Sequence, residues 1–138
     1  MKISRTQAIT TMNFLVADRF VNDVNKYAAS RNVKRVKKNG EDVDEFTQEK
    51  RLQYCFKDKD QCPVKNDKGA FKFTEANEKA FTKDLKEYMA EEVDFEPYVF
   101  KNNNETAGMK YIFINSDLEF LLDESLLEEP KETPEKTT

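Results

Sequence analysis

The strongest constraint on the fold is a helical repeat of apolar side chains between residues 75 and 91. Phe81, Leu85 and Met89 recur at every fourth position, which places them along one side of an α-helix. Thr74 precedes the repeat, and a threonine hydroxyl there accepts a hydrogen bond from a first-turn amide. The sequence therefore predicts an amphipathic helix over residues 75–91, with Phe81, Leu85 and Met89 facing the main core.

The first 57 residues show the same helical spacing in two further stretches. A helix is predicted after a cap at Ser4 or Thr6, preceded by a short strand or extended arm at residues 2–3. The helical pattern continues over residues 20–57 but contains Gly40, and glycine inside a helix costs about 1 kcal/mol relative to alanine. The pattern therefore predicts a helical hairpin, or one long helix kinked at Gly40, and favours the break.

The second half of the chain shows the alternation that is typical of strands. Residues 93–99 alternate between apolar and polar side chains, and residues 110–114 read KYIFI. We expect these two segments to pair as a small antiparallel sheet, with a further short strand at residues 70–73. The sheet would carry an aromatic set that either covers the helices or forms an uncovered interaction surface: Tyr98, Phe100, Tyr111 and Phe113.

Together these segments predict one α+β domain over residues 1–127. The domain would consist of N-terminal helices or a helical hairpin, an amphipathic helix and a small antiparallel sheet. A chain of 138 residues is the usual size for one domain. Residues 128–138 contain Pro, Glu, Lys and Thr without any apolar side chain, so a disordered acidic tail is predicted there.

The composition argues against most kinds of catalytic site. The chain has no histidine, which removes the commonest general base near neutral pH. Its three glycines are far apart, so none forms a loop that cradles phosphate. Cys55 and Cys62 do not have the spacing of a zinc site, and their pairing stays open. We therefore expect no enzyme activity, no cofactor and no metal, and the sequence shows no signal peptide or membrane-spanning segment.

Charge is distributed unevenly along the chain. Residues 1–72 hold 16 basic and 10 acidic side chains, whereas residues 73–138 hold 7 and 17. The densest basic run consists of Arg31, Lys34, Arg35, Lys37 and Lys38. Such a run either grips nucleic-acid phosphates or forms a solvated helix end. Because the protein is acidic overall and only Tyr27 lies near enough to stack a base, we expect no tight nucleic-acid binding.

The densest acidic run is Glu91, Glu92, Asp94 and Glu96. Glu92, Asp94 and Glu96 would share one face of the predicted strand. That face is either solvated, a metal or acid–base site, or a contact surface. In the last case, the basic run of one copy would meet the acidic run of the next, in a head-to-tail assembly.

The order of these segments resembles a family of small tailed-phage proteins of unknown function, whose genes tend to lie among virion structural genes. The resemblance rests on KYAASRNVKRVKK, DEFTQEKRLQYCF, DKGAFKFTEANEKAFTKDLKEYM, EEVDFEPYVF and INSDLEFLLDESLL. It implies a virion-associated or assembly protein that binds copies of itself or other virion proteins. The alternative is a phage-encoded inhibitor of a host protein. Either role would place the chain in the host cytoplasm, in the virion, or in both.

Overall fold

The computed structural model describes residues 1–128 and confirms the α+β fold class. Its elements within that range are β1 (Lys2–Ser4), α1 (Arg5–Val16), α2 (Asp23–Tyr54), α3 (Glu75–Ala90), β2 (Glu92–Asp94), α4 (Asn104–Asn115), a 3₁₀ helix (Glu119–Leu121) and α5 (Glu124–Leu127). The predicted tail at residues 128–138 lies, apart from Glu128, outside the described residues.

The two-stranded sheet joins the start of the chain to the acidic run. β1 and β2 pair antiparallel, with Ile3 opposite Val93. The Ser4 hydroxyl accepts a hydrogen bond from the Gln7 amide at 3.0 Å and so caps α1. The predicted start of the fold is therefore confirmed, but the partner of the acidic strand is the N-terminus.

The strand predicted at residues 110–114 is wrong, because this segment belongs to α4. Asn103 and Thr106 form a capping box at the start of the helix, in which each side chain bonds the other's backbone amide. Met109 and Phe113, four positions apart, both face the core. The cap and these core contacts outweigh the strand propensity of an aromatic and β-branched run.

α2 is one continuous helix of 32 residues, so the predicted break at Gly40 is also wrong. A β carbon at Gly40 would lie 2.8 Å from the Cε atom of Met12 in α1. Glycine at this buried position leaves room for the Met12 side chain, which a larger residue would displace. At 1.5 Å per residue, α2 is about 48 Å long.

The main core lies between α1, the first half of α2 and the C-terminal third of the described chain. Its centre is an aromatic cluster in which Phe113 lies 5.0 Å from Phe14 and 5.4 Å from Phe100, measured between ring centroids. Phe20 stacks on Phe100 at 5.0 Å. Leucines after α4 complete the core: Leu118, Leu121, Leu122 and Leu126.

α3 begins and ends almost where the sequence predicts, and the Thr74 hydroxyl accepts the amide of Asn77 at 3.2 Å. Its apolar stripe does not face the main core, however. Phe81, Leu85 and Met89 are only half-buried, because α3 packs on α2 and α1 outside the main cluster. The periodicity correctly predicts the helix but does not specify which partner covers it.

The segment between α2 and α3 is held by single β-bridges rather than by the predicted strand at residues 70–73. Lys57 pairs with Pro63, and Lys65 pairs with Phe71. Gly69 closes a turn with a φ of 81°, a left-handed value that suits glycine. Both cysteine thiols are free; Cys55 is buried and Cys62 is exposed.

Candidate protein-interaction site

Helix α2 is buried mainly on one side. Its buried residues within the first half are Asn25, Ala28, Ala29, Asn32, Val36 and Gly40. In the second half, Phe46 stacks on Tyr88 of α3 at 3.8 Å, and Tyr54 donates a hydrogen bond to Asp84 at 2.6 Å. At 100° per residue, all of these positions fall on the same side of the helix. The opposite side carries exposed side chains along most of α2, although Tyr27 packs edge-on against Tyr98, with 5.5 Å between the ring centroids.

Six residues define what we call the outer face of α2: Tyr27, Lys34, Lys38, Glu41, Glu45 and Leu52. All six are exposed, Tyr27 by 55% and Leu52 by 42%. The charged positions are basic before Gly40 and acidic after it. The outer face thus carries opposite charges at its two halves and one large apolar side chain near each end.

Within one copy of the chain, this arrangement brings like charges together in each half and opposite charges, Lys38 and Glu41, together where the halves meet. Lys34 lies four positions from Lys38, and Glu41 lies four positions from Glu45, so each pair brings like charges together. Lys38 pairs with Asp42 at 3.1 Å, and a hydrogen bond from this pairing raises the pKa of Lys38. Among residues 1–128, the other three charged positions of the outer face form no ion pair.

A surface groove of about 680 Å³ adjoins the basic half of the outer face. It runs between the end of α1 and α2, and its basic side chains are Arg19, Lys26, Lys34 and Lys37. Val16 lines the groove and is 62% exposed. An acidic protein segment with an apolar side chain would find both charge complementarity and apolar contact here.

The predicted basic run divides between two sides of α2. Lys34, Arg35, Lys37 and Lys38 are all exposed, but Arg35 reaches toward the segment that follows β2. The Arg35 guanidinium donates to the Glu96 carbonyl at 2.9 Å and lies 5.6 Å from the centre of the Tyr98 ring. Arg31 is half-buried, and its Nε atom has no hydrogen-bond partner among the described residues.

The acidic run contacts the basic run at one point, where the Arg35 guanidinium bonds the backbone carbonyl of Glu96 and not its carboxylate. Asp94 pairs with Lys2 at 2.7 Å, and this hydrogen bond lowers the pKa of Asp94. Glu91 forms an ion pair with Arg5. Glu92 and Glu96 are exposed. Within residues 1–128, no three Asp, Glu or Cys side chains converge in a metal-binding arrangement.

The predicted aromatic surface does not exist as a unit. Phe100 and Phe113 are fully buried in the core, and Tyr98 is half-buried. Tyr111 alone of the four is exposed, by 71%, because α4 turns it away from Phe113. On the two paired strands that the sequence predicts, Tyr111 and Phe113 would have the same orientation.

Buried amides that the sequence analysis overlooked hold α2 in place. The Asn32 side chain donates to the Tyr98 carbonyl at 2.8 Å and accepts the Tyr98 amide at 2.8 Å. Asn25 donates to the Glu105 carboxylate at 2.8 Å and exchanges two hydrogen bonds with Asn103. Asparagine in a helix interior is unfavourable by propensity, and this is the signal that could have drawn attention to both positions.

Glu105 gives the fold a predictable response to acid. Its carboxylate accepts hydrogen bonds from Asn25 and from the Val21 and Asn22 amides, and these bonds lower its pKa. Because the pKa of Glu105 is lower in the folded state than in the unfolded state, its carboxylate stabilises the fold at pH values above the unfolded-state pKa of about 4.3. This stabilisation is lost as the pH falls through the folded-state pKa.

We therefore expect Glu105→Gln to lower the melting temperature at pH 7, and the difference from wild type to shrink as the pH falls below about 4. Thermal melts at several pH values measure this, with Glu78→Gln on the exposed side of α3 as the control. A difference that persists unchanged at pH 3 would contradict the role of the Glu105 carboxylate. Among the described residues, three other carboxyl groups also have lowered pKa values: Asp84, Asp94 and Asp123. They are present in both wild type and Glu105→Gln, so their titration does not change the difference in melting temperature.

Because the sequence predicts a break at Gly40, it does not predict the outer face as one continuous surface. The signal is nevertheless present between Tyr27 and Leu52, as exposed positions at helical spacing whose charge changes sign once; Asp23, which is also exposed, lies five turns before Glu41 on the same side. No helix among residues 1–128 is long and apolar enough to cross a membrane. Comparisons with protein-family models, with curated proteins and with solved structures find no match to this chain.

Proposed function

We propose that this protein works by binding other proteins through α2, as a virion-associated or assembly component of a tailed phage, and not as an enzyme. The observation that supports this is the exposed outer face of α2, with a basic and an acidic half. Charges so arranged orient a partner and accelerate its association. The phage setting rests on the resemblance of the sequence to small tailed-phage proteins.

The groove beside the basic half strengthens the proposal. Interface cores favour apolar and aromatic contact, whereas charges at the rim determine orientation. Val16 and Tyr27 supply exposed apolar area next to Lys34 and Lys37. The basic half of α2 therefore offers both kinds of contact to an acidic protein surface.

Mass spectrometry of purified phage particles tests this function. We expect the wild-type chain in the particles, and we expect Lys34→Glu combined with Lys38→Glu to remove most of it. Lys79→Glu combined with Lys83→Glu is the matched control, because both lysines are exposed on α3 and the change in net charge is equal.

Equal amounts of all three proteins in the particles would contradict a role for the outer face. Absence of the wild-type chain from particles would contradict the virion role. If the chain were then recovered from infected cells in a stoichiometric complex with a host protein, the host-inhibitor alternative would replace the virion role.

A further inference from the structure

The outer face of α2 is self-complementary. Its residues occupy positions 27, 34, 38, 41, 45 and 52, and the spacing reads the same in both directions from a point between Asn39 and Gly40. Reversing the helix about that point exchanges Lys34 with Glu45 and Lys38 with Glu41. It also exchanges Tyr27 with Leu52. Every basic position is thus matched by an acidic one, and the two apolar ends are matched with each other.

The centre of this pattern lies on the open side of the helix. At 100° per residue, the six positions cluster around the direction opposite to Ala28, Asn32 and Val36, which are buried. α1 and α3 both pack on the buried side. Among the described residues, Tyr98 packs against Tyr27 at one end of the outer face, and the exposed positions from Lys34 to Leu52 are accessible to a second helix.

From this symmetry we infer that the partner of the outer face is a second copy of the chain, bound antiparallel about a two-fold axis at the level of Asn39 and Gly40. The inference rests on the proposed function, since it names the partner of the same surface. In this dimer Lys34 meets Glu45 of the partner copy, and Lys38 meets Glu41 of the partner copy. Each of these ion pairs occurs twice because the contact is isologous.

The dimer also places opposite charges against each like-charged pair of one copy. The like-charged neighbours Lys34 and Lys38 face two carboxylates of the partner copy, and Glu41 and Glu45 face two ammonium groups. Tyr27 and Leu52 of the two copies meet at each end and supply apolar contact. A parallel pairing in register would instead place lysine against lysine, so the charges disfavour that arrangement.

Sedimentation velocity of the full chain tests the inference. We expect dimers at low ionic strength, and we expect salt to shift them toward monomers because exposed ion pairs are screened. Lys34→Glu with Lys38→Glu makes the outer face entirely acidic and should abolish the dimer. Adding Glu41→Lys and Glu45→Lys reverses every pair and should restore it.

The restoring variant separates an antiparallel pair from a parallel pair in register. Its charges, like those of the wild type, are complementary in an antiparallel pair and repel in a parallel pair in register. The control, Lys79→Glu with Lys83→Glu on α3, should dimerise as the wild type does. Circular dichroism of each variant shows that the helices are retained, so loss of the dimer cannot be attributed to unfolding.

The inference is overturned if the wild type stays monomeric at every concentration at low ionic strength. It is also overturned if the folded four-residue variant stays monomeric, or if Lys34→Glu with Lys38→Glu dimerises as before. The proposed function is contradicted by a separate result, in which Lys34→Glu with Lys38→Glu enters phage particles in the same amount as the α3 control, Lys79→Glu with Lys83→Glu. A monomeric chain whose particle incorporation still depends on Lys34 and Lys38 would therefore contradict only the self-pairing.

Discussion

Replacing Phe113 with alanine is expected to lower the free energy of unfolding by about 3–5 kcal/mol, the usual cost of truncating a fully buried phenylalanine. Its ring is fully buried and packs edge-on against Phe14 and Phe100, with Phe20 at 6.2 Å. The substitution would leave a cavity at the centre of the aromatic cluster. Urea denaturation followed by circular dichroism measures the loss.

Tyr111→Ala provides the matched aromatic control. A strand at residues 110–114 would give Tyr111 and Phe113 the same orientation, whereas α4 exposes Tyr111 and buries Phe113. We expect Tyr111→Ala to change stability by no more than about 0.5 kcal/mol, as is typical of surface positions. Comparable losses for the two substitutions would contradict the helical structure of this segment.

Asn32→Ala is expected to cost about 2–3 kcal/mol, the second largest effect on stability. Its fully buried side chain satisfies both the amide and the carbonyl of Tyr98, and alanine would leave these backbone groups without partners. An unsatisfied buried donor or acceptor costs about 1–3 kcal/mol. Chemical denaturation measures the loss, and Asn13→Ala at an exposed position of α1 is the control.

A loss from Asn32→Ala no larger than that from Asn13→Ala would show that the amide does not fasten α2 to the segment after β2. Restoration of stability by Asn32→Gln is not expected, because the longer side chain cannot place both of its polar atoms against Tyr98. The two substitutions at position 32 therefore test geometry as well as hydrogen-bonding capacity.

The parts of the fold that the sequence predicts correctly are those encoded locally. A threonine or serine cap followed by helical spacing gives the starts of α1 and α3 at Ser4 and Thr74. These features depend on short-range hydrogen bonds, so a single sequence is enough to reveal them.

The errors arise where contacts between distant residues decide the structure. Gly40 lies inside a helix and leaves room for the Met12 side chain of α1, and a local propensity contains no information about that contact. Residues 110–114 form a helix because Asn103 and Thr106 cap it and Phe113 reaches the core. The strand partner of the acidic run is β1, about 90 residues away.

The proposed interaction surface differs from the one that the sequence predicts. Lys34, Lys37 and Lys38 are exposed as expected, and a contact between the basic run and Glu92, Asp94 and Glu96 of another copy stays a prediction. The acidic half of the outer face, Glu41 and Glu45, was overlooked because the expected break at Gly40 placed it on a different helix. Recognition of α2 as one helix brings both halves onto a single surface.

The measurement that tests the pairing of α2 most directly is the distance between spin labels on two copies of the chain. Labels are attached to cysteines introduced at Asp23 or Ser30, both exposed on α2, in a Cys62→Ser background that retains the buried Cys55. Pulsed electron resonance then reports one intermolecular distance for each position.

An antiparallel pair about an axis between Asn39 and Gly40 separates equivalent residues by about 3 Å for every residue from that axis. The account therefore predicts about 50 Å between labels at Asp23 and about 30 Å at Ser30. Equal distances at the two positions, or no intermolecular distance at high protein concentration and low ionic strength, would contradict it.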